Sequence, residues 1–116
     1  LPHHRKPYLW RLLGDCAAAA GDPRRALKLY KSALLKDHAG RHKTLLRIGR
    51  LHAAAGRLAE ARRAWEQANE FRRRRFLADD PEAVAALASL AAAETAAAAT
   101  QPVAVGADTA ARREAV

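Results

Sequence analysis

The sequence predicts an all-α fold, an α-solenoid of antiparallel helix pairs, and three observations carry that expectation. The first is an internal repeat. Sliding His42 to Ala68 back by 35 residues onto Pro7 to Ala33 pairs Gly49 with Gly14, Gly56 with Gly21, Ala61 with Ala26, Trp65 with Tyr30 and Ala68 with Ala33. Glycines, alanines and one large aromatic recurring at a single offset mark a packing unit, whereas alanine-rich low complexity repeats at no fixed period. The second is helical spacing: Trp10, Leu13, Gly14 and Ala17, then Leu45, Ile48, Gly49 and His52, fall at i, i+3, i+4 and i+7, the period of one helix face. The third is composition. A chain of 116 residues that is 50% apolar can build one small core, but alanine buries little area. Trp10, Tyr30 and Trp65 therefore carry much of the stability, at roughly 1.5–3 kcal/mol each.

The elements follow in order. Residues 1–6 form a polar, proline-flanked lead-in whose adjacent His3 and His4 cannot share a helix face, which argues against a metal pair. Pro7 opens a first repeat, 7–40, whose first helix is expected over Tyr8–Ala20. Asp22 and Pro23 supply a cap and a first-turn proline for the second helix. That helix buries Ala26, Tyr30 and Ala33, turns Lys28 and Lys31 outward, and is expected to stop near Gly40. Glycine inside a helix costs about 1 kcal/mol against alanine, so Gly14 and Gly49 need a compensating gain. Close approach supplies it: the first helix lies against Ala26 with no Cβ between, and Tyr30 fills the space beyond. Cys16, beside the core stripe, is expected to be a small core residue. As the one cysteine it excludes an internal disulfide and fits a reducing compartment.

A second repeat, 41–78, begins with a helix over about Arg41–Ala55. Its fourth-helix counterpart starts near Leu58, buries Ala61, Trp65 and Ala68, and is expected to run through Phe71 and Arg72, Arg73, Arg74 and Arg75 to about Ala78. Four consecutive residues sweep about 300° of a helix, so this end either projects past the body or meets acid. Glu70 and Arg74 form an i, i+4 pair. Phe71 and Phe76 around four arginines also permit an anionic or nucleic-acid patch. Residues 79–100 are expected to form a capping helix, with Asp79 and Glu82 at capping-box spacing and Val84, Leu87, Leu90 and Ala91 presented to the body. Residues 101–116, with Pro102 and Gly106 and no periodicity, are expected to be a flexible tail.

The repeat resembles the tetratricopeptide repeat (TPR), a helix-turn-helix unit of 34 residues. The first copy matches at Trp10, Leu13, Gly14, Gly21, Asp22, Ala26, Tyr30 and Ala33, and the second at Ile48, Gly49, Gly56, Ala61, Trp65 and Ala68. Departures stand at Leu45 for the family's tryptophan, at Ala17 and His52 for its tyrosine, and at His38 and Arg73 for its closing proline. The resemblance covers Pro7 to about Arg73 and implies a TPR-like superhelix fragment. The pentatricopeptide repeats, which read RNA, share the period and keep a second reading open. In the TPR family the face opposite the core stripe lines a concave groove. That implies a partner-binding groove of Tyr8, Arg11, Asp15, Lys43, Leu46, Arg47 and Arg50, attractive to an acidic or carboxylate-bearing segment. The asparagines of the family's carboxylate clamp for chaperone tails are missing from these positions.

Charge is uneven: residues 1–75 carry +13 and residues 76–116 carry −4 of the net +9, so the repeats favour an acidic partner, whether protein or RNA. No nucleophile-base set, phosphate-binding loop or metal cluster occurs, and His52 is expected to be a hydrogen-bonded interior residue. No cofactor, metal or catalytic residue is expected. No apolar run reaches a membrane span without help from alanine, and no signal peptide opens the chain. The start at Leu1 suggests a domain of a longer protein. The expected function is a non-catalytic, cytoplasmic protein-protein interaction module, an adaptor or scaffold in a larger assembly. A basic RNA-binding repeat and a packing element with no ligand of its own are the alternatives. Two repeats fall short of the three usually needed, so contact with further repeats or another chain through the first helix is expected.

Overall fold

The computed structural model of the chain describes residues 6–100, and over them the protein is all-helical. The helices are α1 (Leu9–Ala19), α2 (Pro23–Lys36), α3 (Arg41–Ala54), α4 (Leu58–Arg73) and α5 (Pro81–Thr100). Each packs on the next in the chain. The expected lead-in, with His3 and His4, and the expected tail 101–116 lie outside the described residues, apart from Lys6.

Each pair closes through the same turn. At the end of α1, Gly21 adopts φ +80°, and the Gly21 and Asp22 amides donate to the Ala18 and Ala17 carbonyls at 3.0 and 2.9 Å. Gly56 repeats this after α3, its amide and that of Arg57 donating to Ala53 and His52 at 3.0 and 2.8 Å. This arrangement satisfies the last carbonyls of the helix and needs a left-handed residue, which glycine supplies without a steric penalty. Asp22 then caps α2 by accepting from the Arg25 amide at 3.1 Å.

The interior glycines have a sharper role than the expected contact with Ala26. A Cβ on Gly14 would clash with the Tyr30 ring, and one on Gly49 with the Trp65 indole. The aromatic itself lies across the missing side chain, and Tyr30 and Trp65 are 3% and 6% exposed. Around them the core divides in two. One cluster joins Ala17, Ala26, Tyr30, Ile48 and Ala64, and the other joins Leu45, Leu46, Ala61, Trp65, Ala68, Ala83 and Leu90. Trp10, expected in the core, is half-buried, with the Lys36 ammonium 5.7 Å from its ring centre. Cys16 is exposed rather than internal, because α1 buries Gly14 and Ala17 and turns Cys16 aside.

Two helix boundaries differ from expectation. α2 ends at Lys36, and Gly40, with φ −93°, begins α3 instead of closing α2. It is buried because Arg11 and Asp37 pack against its Cα. α4 stops at Arg73, short of Ala78, in a third copy of the left-handed turn: the Phe76 and Leu77 amides donate to Arg73 and Arg72 at 2.9 and 3.0 Å. Here the left-handed residue is Phe76, at φ +59° and 98% exposed. Propensity favours helix through the arginines, yet the turn is required to bring Asp80 onto α4, where its amide donates to buried Asn69 at 2.9 Å. Asp80, not Asp79, then caps α5, accepting from the Glu82 amide at 2.9 Å.

Two substitutions test this account. Gly49→Ala, although alanine is the better helix former, should lower stability by about 1–3 kcal/mol through overpacking against Trp65, read as a lower urea midpoint. Phe76→Gly should raise stability by about 1 kcal/mol, since the left-handed backbone penalises a side chain and no packing is lost.

Candidate functional site

The expected groove residues sit on α3, on α1 and at its N-cap, Tyr8, and the structure joins three of the seven, Arg11, Arg47 and Arg50, to acids of the same chain. Tyr30, anchored over Gly14, donates its hydroxyl to Asp15 Oδ1 at 2.6 Å, and Arg47 Nε donates to the same oxygen at 2.8 Å. Burial, then the bond to Asp15, pushes the Tyr30 pKa well above the ordinary phenol range. One repeat later, Arg50 donates from Nε and Nη2 to the two Glu82 carboxylate oxygens, at 2.5 and 2.7 Å. Residues 15 and 50, and residues 47 and 82, are each 35 apart. The same contact therefore recurs with its charges exchanged, tying α1 to α3 and then α3 to α5.

Two expected groove residues are not available. Arg11 is 9% exposed and its guanidinium meets Asp37 at 2.5 Å, an ion pair that also holds the Gly40 amide through Asp37 Oδ1 at 3.2 Å. It fixes the joint between α2 and α3. Leu46 is 6% exposed and belongs to the core, because α5 covers it with Ala83 and Leu90. Tyr8 is exposed, and Lys43 is exposed with no acidic partner in ion-pair range among the described residues. The α1–α3–α5 face is thus a row of ion pairs flanked by Lys43 and Tyr8, not a row of free cations.

The arginine run is engaged as well. Arg72 Nε donates to the Ala78 carbonyl at 2.6 Å, and Arg73 holds both Asp79 oxygens at 2.8 and 2.6 Å. Arg74 pairs with Glu70 at 3.0 Å, the i, i+4 contact expected from spacing. Arg75 lies 3.6 Å above the buried Phe71 ring. His42 stacks on that ring at 5.9 Å between centres and His38 meets its edge at 5.8 Å. Phe71 is therefore enclosed, and the helix end meets acid instead of projecting free.

Three contacts escaped sequence reasoning: Asp37 with Arg11, Asn69 with the Asp80 amide, and Glu82, read only as a capping residue, with Arg50. Asn69 and Glu82 mattered only once α5 folded back, a tertiary event with no local signal. The repeat period offered one hint, since Glu82 stands 35 residues beyond Arg47.

Among the described residues no three His, Cys, Asp or Glu side chains converge to hold a metal ion. Residues Pro81–Ala99 of α5 are long and apolar enough by composition to cross a membrane, with a mean hydropathy of 1.3 that rests largely on alanine. Comparison with protein-family models, curated proteins and solved structures finds no match to any of them.

Two histidines link the site to pH. The pKa values of His42 and His52 are lowered, first by burial and then by Arg72 and Arg57 respectively. Neutral His52 Nδ1 accepts from Arg57 at 2.8 Å. Below the ordinary histidine value of about 6.5, the unfolded chain takes up protons that the folded chain resists, so acid weakens folding. The urea midpoint should fall as pH drops from about 7 to 5, and His42→Gln should flatten part of that slope.

Proposed function

We propose that this chain is a non-catalytic protein-protein interaction module, a TPR-like adaptor or scaffold of solenoid architecture. It holds an acidic or carboxylate-bearing partner segment along the face shared by α1, α3 and α5, in a cytoplasmic assembly with further repeats or other subunits. One observation carries this reading: the Asp15 and Arg47 contact recurs at Arg50 and Glu82 one repeat later. A contact that repeats with the period of the sequence sets the first helices of successive units side by side, the arrangement from which repeat proteins build a continuous binding surface.

The chemistry follows from the same pairs. Asp15 and Glu82 already hold the Arg47 and Arg50 guanidiniums in place, so less side-chain entropy is lost when a partner carboxylate shares or displaces them. Lys43 adds a charge with no internal competitor. Because the incoming acid competes with Asp15 and Glu82, affinity is modest and sensitive to salt. The alternative, an RNA-binding repeat, draws support from the net charge but less from the arginine run, whose members already hold internal acceptors.

Affinity capture from the native source, with the bound segment mapped by proteolysis, tests the face. Lys43→Glu combined with Arg50→Glu should weaken capture about tenfold or more while the helical circular dichroism persists, and Arg74→Glu should leave capture unchanged. Undiminished capture by the double variant would remove the assignment.

A further inference from the structure

The two repeats stand in different surroundings. In the second, Ile48 on α3 and Ala64 on α4 are 7% and 4% exposed, within the cluster that contains Ala26 and Tyr30 of α2. Leu27, Leu29 and Leu34 of α2 pack against that cluster, as does half-buried Leu51. Residues 35 positions earlier, Leu13 on α1 and Leu29 on α2, are only half-buried, and Cys16, the counterpart of Leu51, is exposed. The seam between α3 and α4 is covered by α2. The equivalent seam between α1 and α2 is instead an open groove of about 280 Å³, floored by Leu13, Cys16, Ala20 and Leu29 with Asp22 and Arg25 at its edge.

The molecule itself shows what fills such a seam: a helix presenting leucines, among them Leu27 and Leu34 seven residues apart. Charge specifies the occupant further. Arg25 stands at the groove's edge, Arg24 and Lys28 are exposed in an adjoining hollow that shares Asp22 and Arg25 with it, and α2 carries no acid between Asp22 and Asp37. The one rim acid, Asp22, is already bonded to the Arg25 amide.

We propose that the groove between α1 and α2 docks one amphipathic helix of a partner protein, with two large aliphatic residues seven apart for the groove and acidic residues on its flanks. Apolar anchors at helical spacing in a groove of this kind supply the affinity, and the cationic rim selects against basic helices such as α2 of a second copy. The site shares no residue with the face formed by α1, α3 and α5, so it stands or falls separately from the function proposed above.

Cys16, the single cysteine of the chain, reports on this groove directly. The probe is a synthetic peptide of the sequence Asp22 to Asp37 that keeps Leu27 and Leu34 and has its five lysines and arginines replaced by glutamate. Saturating peptide should slow alkylation of Cys16 in the full chain by about tenfold or more. Arg25→Glu, or Lys28→Glu should the first variant lose its helical signal, should raise the peptide concentration needed for protection by a similar factor. Lys43→Glu should not. An alkylation rate indifferent to the peptide would overturn the proposal. So would a rate that falls with the concentration of the chain alone, since a second copy would then occupy the groove.

Discussion

The structure depends on one steric arrangement, the seating of a large aromatic of the second helix across a glycine of the first. Without a Cβ at Gly14 and Gly49, the Tyr30 and Trp65 rings lie against the helix backbone. The alanines Ala26, Ala33, Ala61 and Ala68, all fully buried, then let the paired helices close around the ring. For a chain whose apolar content is mostly alanine, burying these two rings is the main means of gaining apolar contact. The same seating aims the Tyr30 hydroxyl at Asp15 and so orients the acceptor used by Arg47. Packing within a repeat thereby organises the contact between repeats. In the second unit Trp65 has no hydroxyl to offer and its Nε1 finds no partner. The residue in the place of Asp15 is Arg50, which turns to Glu82 on α5 instead.

This coupling changes the meaning of the basic composition. A net charge of +9 suggests a surface of free cations, yet most arginines of the inner face and of the α4 end hold carboxylates or carbonyls of their own chain. Exposed pairs contribute little to stability singly; their effect here is geometric, fixing guanidinium positions and tying α1 to α3 and α3 to α5. The Arg11 and Asp37 pair, nearly excluded from solvent, belongs to a different class, because removing one partner would strand a buried charge. Among the described residues, Arg24, Arg25 and Lys28 of α2, beside the uncovered groove, have no acid partner in ion-pair range, and neither has Lys43 on α3.

The end of α4 shows tertiary demand overriding local preference. Arginine favours helix, and nothing in Phe71 to Leu77 resembles a stop signal. The chain nevertheless turns at Phe76, in a conformation that glycine supplies at Gly21 and Gly56. The return to α4, secured by Asn69 and by Arg72 and Arg73 on the linker, offsets the cost and lets Ala83 and Leu90 cover Leu46.

By itself the sequence determined the helical class, the repeat and its period, the starts of all five helices to within about a residue, the burial of Tyr30 and Trp65 and the Glu70 and Arg74 pair. Each is a short-range or periodic property, and periodicity reports on helix faces directly. Only the tertiary structure decided that Leu46 is core, that Arg11 is buried, that Cys16 is exposed and that Arg47 and Arg50 are paired. Those outcomes hinge on where a third layer of helix comes to lie. A helical face can be read from spacing, but what covers it depends on a neighbour whose approach is encoded many residues away.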